Sequence, residues 1–363
     1  MTVTEIPSDE ERQEAFAGRV VTSLVDVLEL MNIHVGLDLG LYAVLRDADV
    51  TAAQLAERGG IHPRYAREWL QQQAVAGVID VAVASEDDEQ RAYRLPAPHA
   101  EALLDPTHPA FVAGAVLFLP AVQALPAVVE AFRTGRGVSF GDFGDGVREG
   151  QSAFNRPAFT NDMTGWLAAL PDVEAKLQSG SVRVADVGCG TGWSSIALAT
   201  GYPLAEIDGI DLDDASIADA RKHAADAGLA DRVTFEVRDA ADPRLEGRYD
   251  LVTVFEAMHD MPRPVDVLRA IKGMLSDGGV VLVMDEKVPD AFPGASEDPF
   301  LRLFYACSPV HCLPVGMTGD DPVGTGTVMT QATFAGYAAD AGFRTCDVLP
   351  IEHPMFRFYR LEA

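Results

Sequence analysis

Apolar residues change their spacing along this chain, and the change divides it into two parts. From about residue 20 to residue 45 they recur at helical spacing, and Gly36 and Gly40 mark where this helix is expected to break. The helix is apolar enough to be either buried core or a subunit interface. After Val182, short valine-rich runs alternate with helical stretches. This alternation predicts a parallel sheet covered by helices, preceded by a mainly helical region.

A short module between residues 51 and 95 has the order helix, helix, hairpin. Thr51 and Gln54 form a capping-box pattern that begins the first helix, and Pro63 begins the second. Apolar runs at 78–83 and 91–95 flank an acidic turn and are expected to pair. The module therefore predicts a winged helix, and the acidic residues of its turn argue against contact with DNA phosphates.

Residues 106–180 are again largely helical, with a glycine-rich interruption near 134–144. We expect them to connect two domains and to form part of a substrate wall, because ligand sites favour domain interfaces. The candidate substrate contacts in this segment are Phe154, Asn155 and Met163. The acidic run 8–11 near the N-terminus is expected to be a solvated tail.

The formal net charge of −27 favours a small-molecule substrate, because a protein that binds nucleic acid needs a surface rich in Lys and Arg. The length of 363 residues predicts two domains. No run of about 18 consecutive apolar residues occurs, and the first six residues lack the features of a signal peptide, so no membrane partner is expected. The four cysteines are irregularly spaced, which is typical of reduced thiols in a cytoplasmic protein.

Candidate chemistry centres on the segment from Val184 to Ala199, where an apolar run leads into glycines and then into a helical run. Gly188, Gly190 and Gly192 allow a sharp turn and the close approach of a ligand to the backbone. Taken alone, such a turn is equally consistent with ordinary packing between a strand and a helix.

Polar residues follow the next strands in the same way. Asp211 ends the run 207–211, about 20 residues beyond the glycines, where an acid can accept hydrogen bonds from ribose hydroxyls. Two further strand ends are also polar: Asp239 and Ala240 follow the run 233–238, and Phe255 and Glu256 follow the run 249–254.

The family that this series resembles is the class I S-adenosylmethionine-dependent methyltransferases, through the motif Asp186-Val187-Gly188-Cys189-Gly190-Thr191-Gly192 and the strand ends that follow it. The resemblance covers roughly Val182 to the C-terminus. It implies a doubly wound, Rossmann-like α/β sheet with S-adenosyl-L-methionine as the cofactor. The residues that it places in the cofactor site are Asp186, Gly188, Gly190, Gly192, Asp211, Leu212, Asp239, Ala240, Phe255 and Glu256. A nicotinamide enzyme is disfavoured because its glycine spacing is absent.

The segment after the fourth strand resembles the part of plant-type O-methyltransferases that carries a general base. In that family a histidine is followed by an acid, as His259 is by Asp260. The resemblance implies that His259 accepts the proton of a hydroxyl substrate, and that Asp260 or Glu256 orients its ring. Met261 replaces the tryptophan that usually follows, so a structural histidine is the alternative.

An insertion from about residue 285 to residue 330 is expected to form a lid, as this place often does in class I enzymes. Its candidate substrate contacts are Phe304, Tyr305 and His311. Cys307, His311 and Cys312 lack the second ligand pair that a zinc site needs in sequence, so no metal is expected.

These features predict a winged-helix dimerisation domain over 1–105, a helical linker over 106–180 and a cofactor-binding catalytic domain over 181–363. The first domain resembles that of plant-type O-methyltransferases and their bacterial relatives, which implies a homodimer. The expected function is methylation of a small-molecule metabolite at oxygen, with methylation at nitrogen or carbon as the alternative. A cofactor-sensing transcriptional regulator, in which the winged helix binds DNA, is the second alternative.

Overall fold

The computed structural model describes residues 7–180, 182–242 and 249–363. Residues 1–6, in which no signal sequence is expected, lie outside the described residues, as does Ser181, where the catalytic domain is predicted to begin. The chain divides into two compact bodies, residues 1–119 and 120–363. The segment 106–180, predicted to be a separate linker, is therefore shared between the two bodies.

The first body is mainly helical. Its elements in chain order are α1 (Asp9–Asp38), α2 (Leu41–Arg46), β1 (Val50–Thr51), α3 (Ala52–Gly59), α4 (Pro63–Val75), β2 (Asp80–Val83), β3 (Ala92–Arg94), α5 (Ala97–Leu104) and α6 (Ala113–Leu117). The three strands form an antiparallel sheet with β3 in the middle. The predicted order of helix, helix and hairpin is confirmed, and Thr51 caps α3 with the predicted capping box.

The N-terminal acidic run, expected to be a solvated tail, is instead the first turn of α1. The side chain of Ser8 accepts a hydrogen bond from the N–H of Glu11, and the Glu11 carboxylate accepts one from the N–H of Ser8. This capping box satisfies two backbone donors, and the acids of the first turn complement the helix dipole. The helix also continues through Gly36 and ends at Asp38, because the left-handed backbone appears only at Gly40, where φ is 64°.

The core of the first body packs around two aromatic rings. Tyr42 and Trp69 are buried and meet edge to face, with ring centroids 5.3 Å apart. The Tyr42 hydroxyl donates to buried Gln73, and the Trp69 indole donates to the carbonyl of Asn32 at 2.9 Å. Gly36 lies directly against both rings, since a Cβ placed there would be 2.5 Å from the Trp69 ring and 2.6 Å from the Tyr42 ring.

The second body alternates helices and strands. Its elements are α7 (Leu125–Thr134), α8 (Asp145–Ala168), α9 (Pro171–Ser179), β4 (Val182–Val187), α10 (Trp193–Gly201), β5 (Ala205–Asp211), α11 (Asp214–Asp226), β6 (Val233–Val237), β7 (Tyr249–Phe255), α12 (Pro264–Met274), β8 (Leu275–Glu286), α13 (Pro299–Val310), α14 (Cys312–Gly316), α15 (Gln331–Asp340), β9 (Thr345–Val348) and β10 (Phe356–Glu362). Short 3₁₀ helices lie at Leu119–Ala124, Phe140–Phe143 and Met258–Asp260.

The strands described in this body form one seven-stranded sheet in the order β6-β5-β4-β7-β8-β10-β9. The first five are parallel, and β10 runs antiparallel to both β8 and β9. The predicted doubly wound sheet is confirmed. Strand β7 is almost entirely buried, with Leu251, Val252 and Val254 at 0% exposure, because helices cover both faces of a parallel sheet.

Register sets which residues meet at the carboxyl edge of the sheet. Phe255 at the end of β7 is opposite Met284 in β8, so the residues that follow each of them lie side by side. On the other side of β4, Val187 is opposite Ile210, which brings the glycine turn beside Asp211. The polar strand ends noted in the sequence therefore share one edge.

We predict that Gly36→Ala destabilises the first body by about 1–3 kcal/mol, because the new methyl group overpacks the Tyr42 and Trp69 rings. The matched control is Gly18→Ala in the same helix, where a Cβ meets nothing within 4 Å. That change is expected to stabilise the protein by up to about 1 kcal/mol, since alanine has the higher helix propensity. Urea unfolding measures the free energy of unfolding of both variants. Equal stabilisation by the two changes would contradict the close packing of Gly36 against the Tyr42 and Trp69 rings.

Candidate active site

A cavity of about 820 Å³ lies in the second body at the carboxyl ends of the parallel strands. The turn after β4, the end of β5 and the segments after β6 and β7 form its floor, and part of α8 and residues 315–320 complete its walls. Its position is the one at which open α/β sheets bind ligands, and its volume suits a small molecule.

The three glycines of the turn after β4 have different neighbours. All three have positive φ, at 72° for Gly188, 50° for Gly190 and 84° for Gly192. A Cβ at Gly188 would lie 2.5 Å from the Cβ of Ala257, and one at Gly192 would lie 2.7 Å from the Phe235 ring, whereas one at Gly190 would meet nothing within 4 Å. Gly188 and Gly192 thus permit close packing, and Gly190 faces open space and lines the cavity.

Asp211 joins the end of β5 to this glycine turn. One carboxylate oxygen accepts from the N–H of Gly190 at 2.8 Å, and the other accepts from the N–H of Asp213 at 2.9 Å. Burial raises the pKa of this carboxyl, against the effect of these hydrogen bonds. Each oxygen has a further lone pair, so a ligand in the cavity can still donate to it. Leu212, Asp239 and Ala240 also line the cavity.

Asp186, which the resemblance placed in the cofactor site, lies beneath the turn and is not among the described residues that line the cavity. It is 1% exposed. Its carboxylate accepts from the hydroxyls of Ser194 and Ser195, both at 2.6 Å, and of Thr253 at 2.8 Å. Asp186 therefore ties the start of α10 and the neighbouring strand β7 to β4 and supports the glycine turn from below.

Four carboxyl groups surround His259 behind the end of β7. Nδ1 of the ring lies 2.9 Å from Asp285 Oδ1 and 3.0 Å from Glu286 Oε2, both at the end of β8. Nε2 lies 3.3 Å from Asp260 Oδ1. Glu256 is the fourth carboxyl and lines the cavity, as Asp260 does. His259 itself is 2% exposed and is not among the described lining residues.

The electrostatics of this cluster follow from burial and from the excess of acid. Burial disfavours the charged imidazole, but Glu286, Asp285 and Asp260 outweigh it and raise the pKa of His259 well above its usual range. Burial also raises the pKa of Glu286 well above its usual range. Without another cation, the imidazole is therefore protonated at neutral pH and shares its charge among several carboxylates.

Glu256 differs from its neighbours in two respects. Its backbone is in the left-handed region, with φ of 49°, which is uncommon for a residue other than glycine and is often found at functional sites. Burial raises the pKa of its carboxyl to about 7, although His259 and a hydrogen bond from Asn155 act in the opposite direction. Oε2 is buried and has no hydrogen-bond partner among the described residues.

Among the residues expected to contact substrate, Asn155 lines the cavity. Met163 and Phe304 are buried at 2% and 4% exposure, and His311 packs edge-on against Phe143 with ring centroids 4.5 Å apart. The other two expected contacts are Phe154 and Tyr305. Apart from Asn155, therefore, none of the expected substrate contacts is among the lining residues in the described part of the chain.

Sequence reasoning expected this part of the chain to wall the site and named Asn155, but it missed the other lining residues on the same face of α8. The lining residues of this helix are Arg148, Gln151, Ser152, Asn155 and Phe159. Their spacing of three and four residues gives a largely polar stripe on a helix that is otherwise packed against the sheet, and this stripe is a signal that the sequence offered. The buried pair Asp285 and Glu286 was also missed, although both follow directly on the apolar run of β8.

Comparison with known proteins identifies two domains. Residues 178–308 match the family model described as "Methyltransferase domain", and residues 27–104 match the Rv2258c-like winged HTH domain. The ubiquinone biosynthesis O-methyltransferase of Marinobacter nauticus is 34% identical over 113 residues, which are 31% of this chain and 47% of the relative. That of Xanthomonas axonopodis pv. citri is 32% identical over 126 residues, 34% of this chain and 51% of the relative. The chain thus spans about half the length of these curated relatives.

Solved structures of similar fold cover nearly the whole chain. Human N-acetylserotonin methyltransferase in complex with SAM has a TM-score of 0.71 at 16% identity and covers 100% of this chain and 99% of its own. Mitomycin 7-O-methyltransferase has a TM-score of 0.68 at 22% sequence identity, and the match covers 97% of this chain and 99% of that protein. The N,N-8-amino-8-demethyl-D-riboflavin dimethyltransferase of Streptomyces davawensis has a TM-score of 0.60 at 20% sequence identity, and the match covers 96% of this chain and 99% of that protein. At these identities the likeness establishes the fold.

Proposed function

The chain carries a methyltransferase domain behind an Rv2258c-like winged helix domain, and from this we propose that it is an S-adenosylmethionine-dependent enzyme that methylates a small molecule at oxygen. The observation that carries the proposal is the cavity at the strand ends, where the glycine turn and Asp211 face the same space as Glu256 and Asp260. A nucleoside cofactor and an acid–base group are thus provided for within one cavity.

The cofactor would lie across the carboxyl ends of β4, β5 and β6. Gly190 leaves the backbone of the turn open, and Asp211 offers its remaining lone pairs to the ribose hydroxyls. Asp239, Ala240, Phe255 and Glu256 line the cavity, and the family resemblance implies that the first two would meet the adenine ring and the last two would lie near the methionine end. When bound, the cofactor supplies an activated methyl group with a good leaving group, so the protein mainly has to position the acceptor in line with it.

Our prediction for the cofactor site is that Asp211→Ala weakens S-adenosylmethionine binding by about 1–3 kcal/mol, through hydroxyls left without an acceptor. Gly190→Val is expected to abolish binding, because its side chain enters the cavity and its φ of 50° suits glycine. Titration calorimetry measures both effects, with Asp226→Ala on the exposed end of α11 as the control. Unchanged affinity in Asp211→Ala would remove this residue from the ribose role.

For the proton of the acceptor hydroxyl, we propose Glu256 in place of His259. A base must reach the acceptor with a free lone pair, and the His259 ring is enclosed by Asp260, Asp285 and Glu286. Glu256 lines the cavity, its Oε2 has no hydrogen-bond partner among the described residues, and its pKa of about 7 suits a base at neutral pH. Asn155 would hold the carboxylate toward the acceptor through its hydrogen bond.

We predict that Glu256→Gln lowers single-turnover methyl transfer by about 10²–10⁴-fold, with cofactor affinity nearly unchanged. The base is active when deprotonated, so the wild-type rate should rise with pH up to about 7, where Glu256 loses its proton, and then level off. The variant should lose that rise. His259→Asn is the comparison: if it loses the pH dependence while Glu256→Gln keeps it, His259 is the base. If neither variant slows transfer, the acceptor is an atom without a proton to lose, such as a free amine.

No observation favours the transcriptional regulator. On α4, which a winged helix would place in the major groove, Arg64 pairs with Glu68, and Arg67 lies 4.0 Å from Asp88 in the turn of the hairpin. Arg91 pairs with the same Asp88 at 2.6 Å. The basic side chains that would contact phosphates are thus neutralised by acids of the same module, which supports a role without nucleic acid.

We further propose that the chain is a cytoplasmic homodimer that pairs through α1. Both α1 and the stretch Ala113–Thr134 are long and apolar enough to cross a membrane by length and composition alone. In α1, however, exposed apolar residues are spaced alternately by three and four positions, at Val21, Leu24, Leu28, Met31 and Val35, with exposures from 44% to 62%. This is the spacing of a seam between two helices in water, so a second copy is the occupant that suits it.

The prediction for this seam is that sedimentation shows a dimer at micromolar concentration and that a variant with both Leu24→Glu and Leu28→Glu is monomeric, because the change places charges inside the contact. The control is Val75→Glu, which alters a side chain 90% exposed at the end of α4, away from the seam. A monomeric wild type would contradict the proposal, and partition of the wild type into lipid vesicles would favour a membrane role for α1.

A further inference from the structure

We propose that His259, Asp260, Cys312 and Cys307 bind one zinc-type divalent cation on the buried side of the cavity. The first two residues belong to the 3₁₀ helix after β7, and the two cysteines belong to α13 and α14 in the insertion. In sequence the cysteines had no second ligand pair, and the fold supplies it from a segment about fifty residues away.

The spacing of the donor atoms suits one small ion. The ligand atoms of His259, Asp260 and Cys312 all lie within 4.8 Å of one another. Three points so spaced share a centre within about 2.8 Å of each (4.8/√3), so shifts of less than about 1 Å give the bond lengths of zinc. Cys307 Sγ is 4.0 Å from Cys312 Sγ, close to the separation of about 3.8 Å between two thiolates on one tetrahedral zinc ion.

The contact between His259 and Asp260 gives a second reason, beside the spacing of the donor atoms, to place a cation here. Nε2 and Asp260 Oδ1 are 3.3 Å apart, yet this buried oxygen has no hydrogen-bond partner among the described residues. Nδ1 already faces Asp285 and Glu286, and a neutral ring that donates from Nδ1 presents a lone pair at Nε2. Without a metal, the proton of the charged ring lies between these two atoms; a cation can replace it, and about 3.3 Å is the distance between a nitrogen and an oxygen bound to one tetrahedral zinc ion.

The carboxylates behind the ring complete the arrangement. A metal-binding histidine usually donates its other ring N–H to a carboxylate, which fixes the orientation of the ring. Oδ1 of Asp285 accepts from His259 Nδ1 at 2.9 Å. Asp285 is 1% exposed, and its second oxygen, Oδ2, has no hydrogen-bond partner among the described residues.

The donor set indicates the class of cation. Thiolate and imidazole donors favour zinc over magnesium and calcium, which prefer oxygen alone. A bound ion would also link the insertion to the loop after β7, a connection that the backbone already begins: the N–H of Gly326 donates to the carbonyl of His259 at 3.1 Å. The cation would therefore hold the insertion closed over the acid cluster.

The test uses the full-length chain, freed of metal with a chelator and titrated with Zn²⁺ and, separately, with Co²⁺. We expect one ion per chain, and for cobalt the visible bands of tetrahedral coordination with a thiolate charge-transfer band in the near ultraviolet. Cys312→Ser should lower zinc affinity at least about 100-fold, since loss of even an orienting partner costs about 10–100-fold. The matched control is Cys346→Ser, on β9 and outside the cluster, which should bind as the wild type does.

A measurement on the wild type alone guards against a variant that fails to fold. Zinc should slow the reaction of Cys307 and Cys312 with a thiol reagent and leave that of Cys346 unchanged. If the wild type binds no zinc, or if Cys312→Ser binds it equally tightly, the site does not exist and a protonated His259 alone balances the acids. Protection of all four cysteines alike would also overturn the proposal, because it would report general stabilisation.

Discussion

Buried negative charge at the ends of β7 and β8 is the constraint on which the rest of the site depends. The register that sets Phe255 opposite Met284 places Glu256 beside Asp285 and Glu286, and taking each ion from water costs several kcal/mol unless it is paired. His259 is held as the shared partner of Asp260, Asp285 and Glu286 and cannot turn toward the cavity without leaving them unpaired. Burial, together with the charges of Asp285 and Asp260, also raises the pKa of Glu256.

On the glycine-turn side of the cavity, buried carboxylates are stabilised in a different way. Asp186 and Asp211 are satisfied by hydroxyls and backbone N–H groups, which are neutral donors and hold the glycine turn in shape without a ligand. The cavity thus has a preformed half built on hydrogen bonds and a second half built on shared charge. We relate the first half to binding and the second half to proton transfer.

Local patterns predicted the sheet and the winged-helix order because they depend on residues close in sequence, such as Thr51 with Gln54 or the polar ends of successive strands. The prediction of a solvated tail at residues 8–11 overlooked that Ser8 and Glu11 also have capping-box spacing. Acidic residues near the start of a chain are consistent with a tail and with the first turn of a helix. The surroundings of His259 could not be predicted, because Asp285 is 26 residues away and Cys312 lies in an insertion with no fixed place in the pattern. The polar stripe on α8 is visible in the sequence, but its packing beside the glycine turn decides which of its residues line the cavity.

The central claim is that one cavity holds both the nucleoside cofactor and the acid group that serves the acceptor. A crystal structure of the complex with S-adenosylhomocysteine tests it most directly. The account predicts ribose hydroxyls within hydrogen-bond distance of the Asp211 carboxylate, the backbone of Gly190 against the ligand, and the sulfur on the side of Glu256. Density for the nucleoside away from the glycine turn, or a sulfur on the far side of the cavity from Glu256, would contradict it.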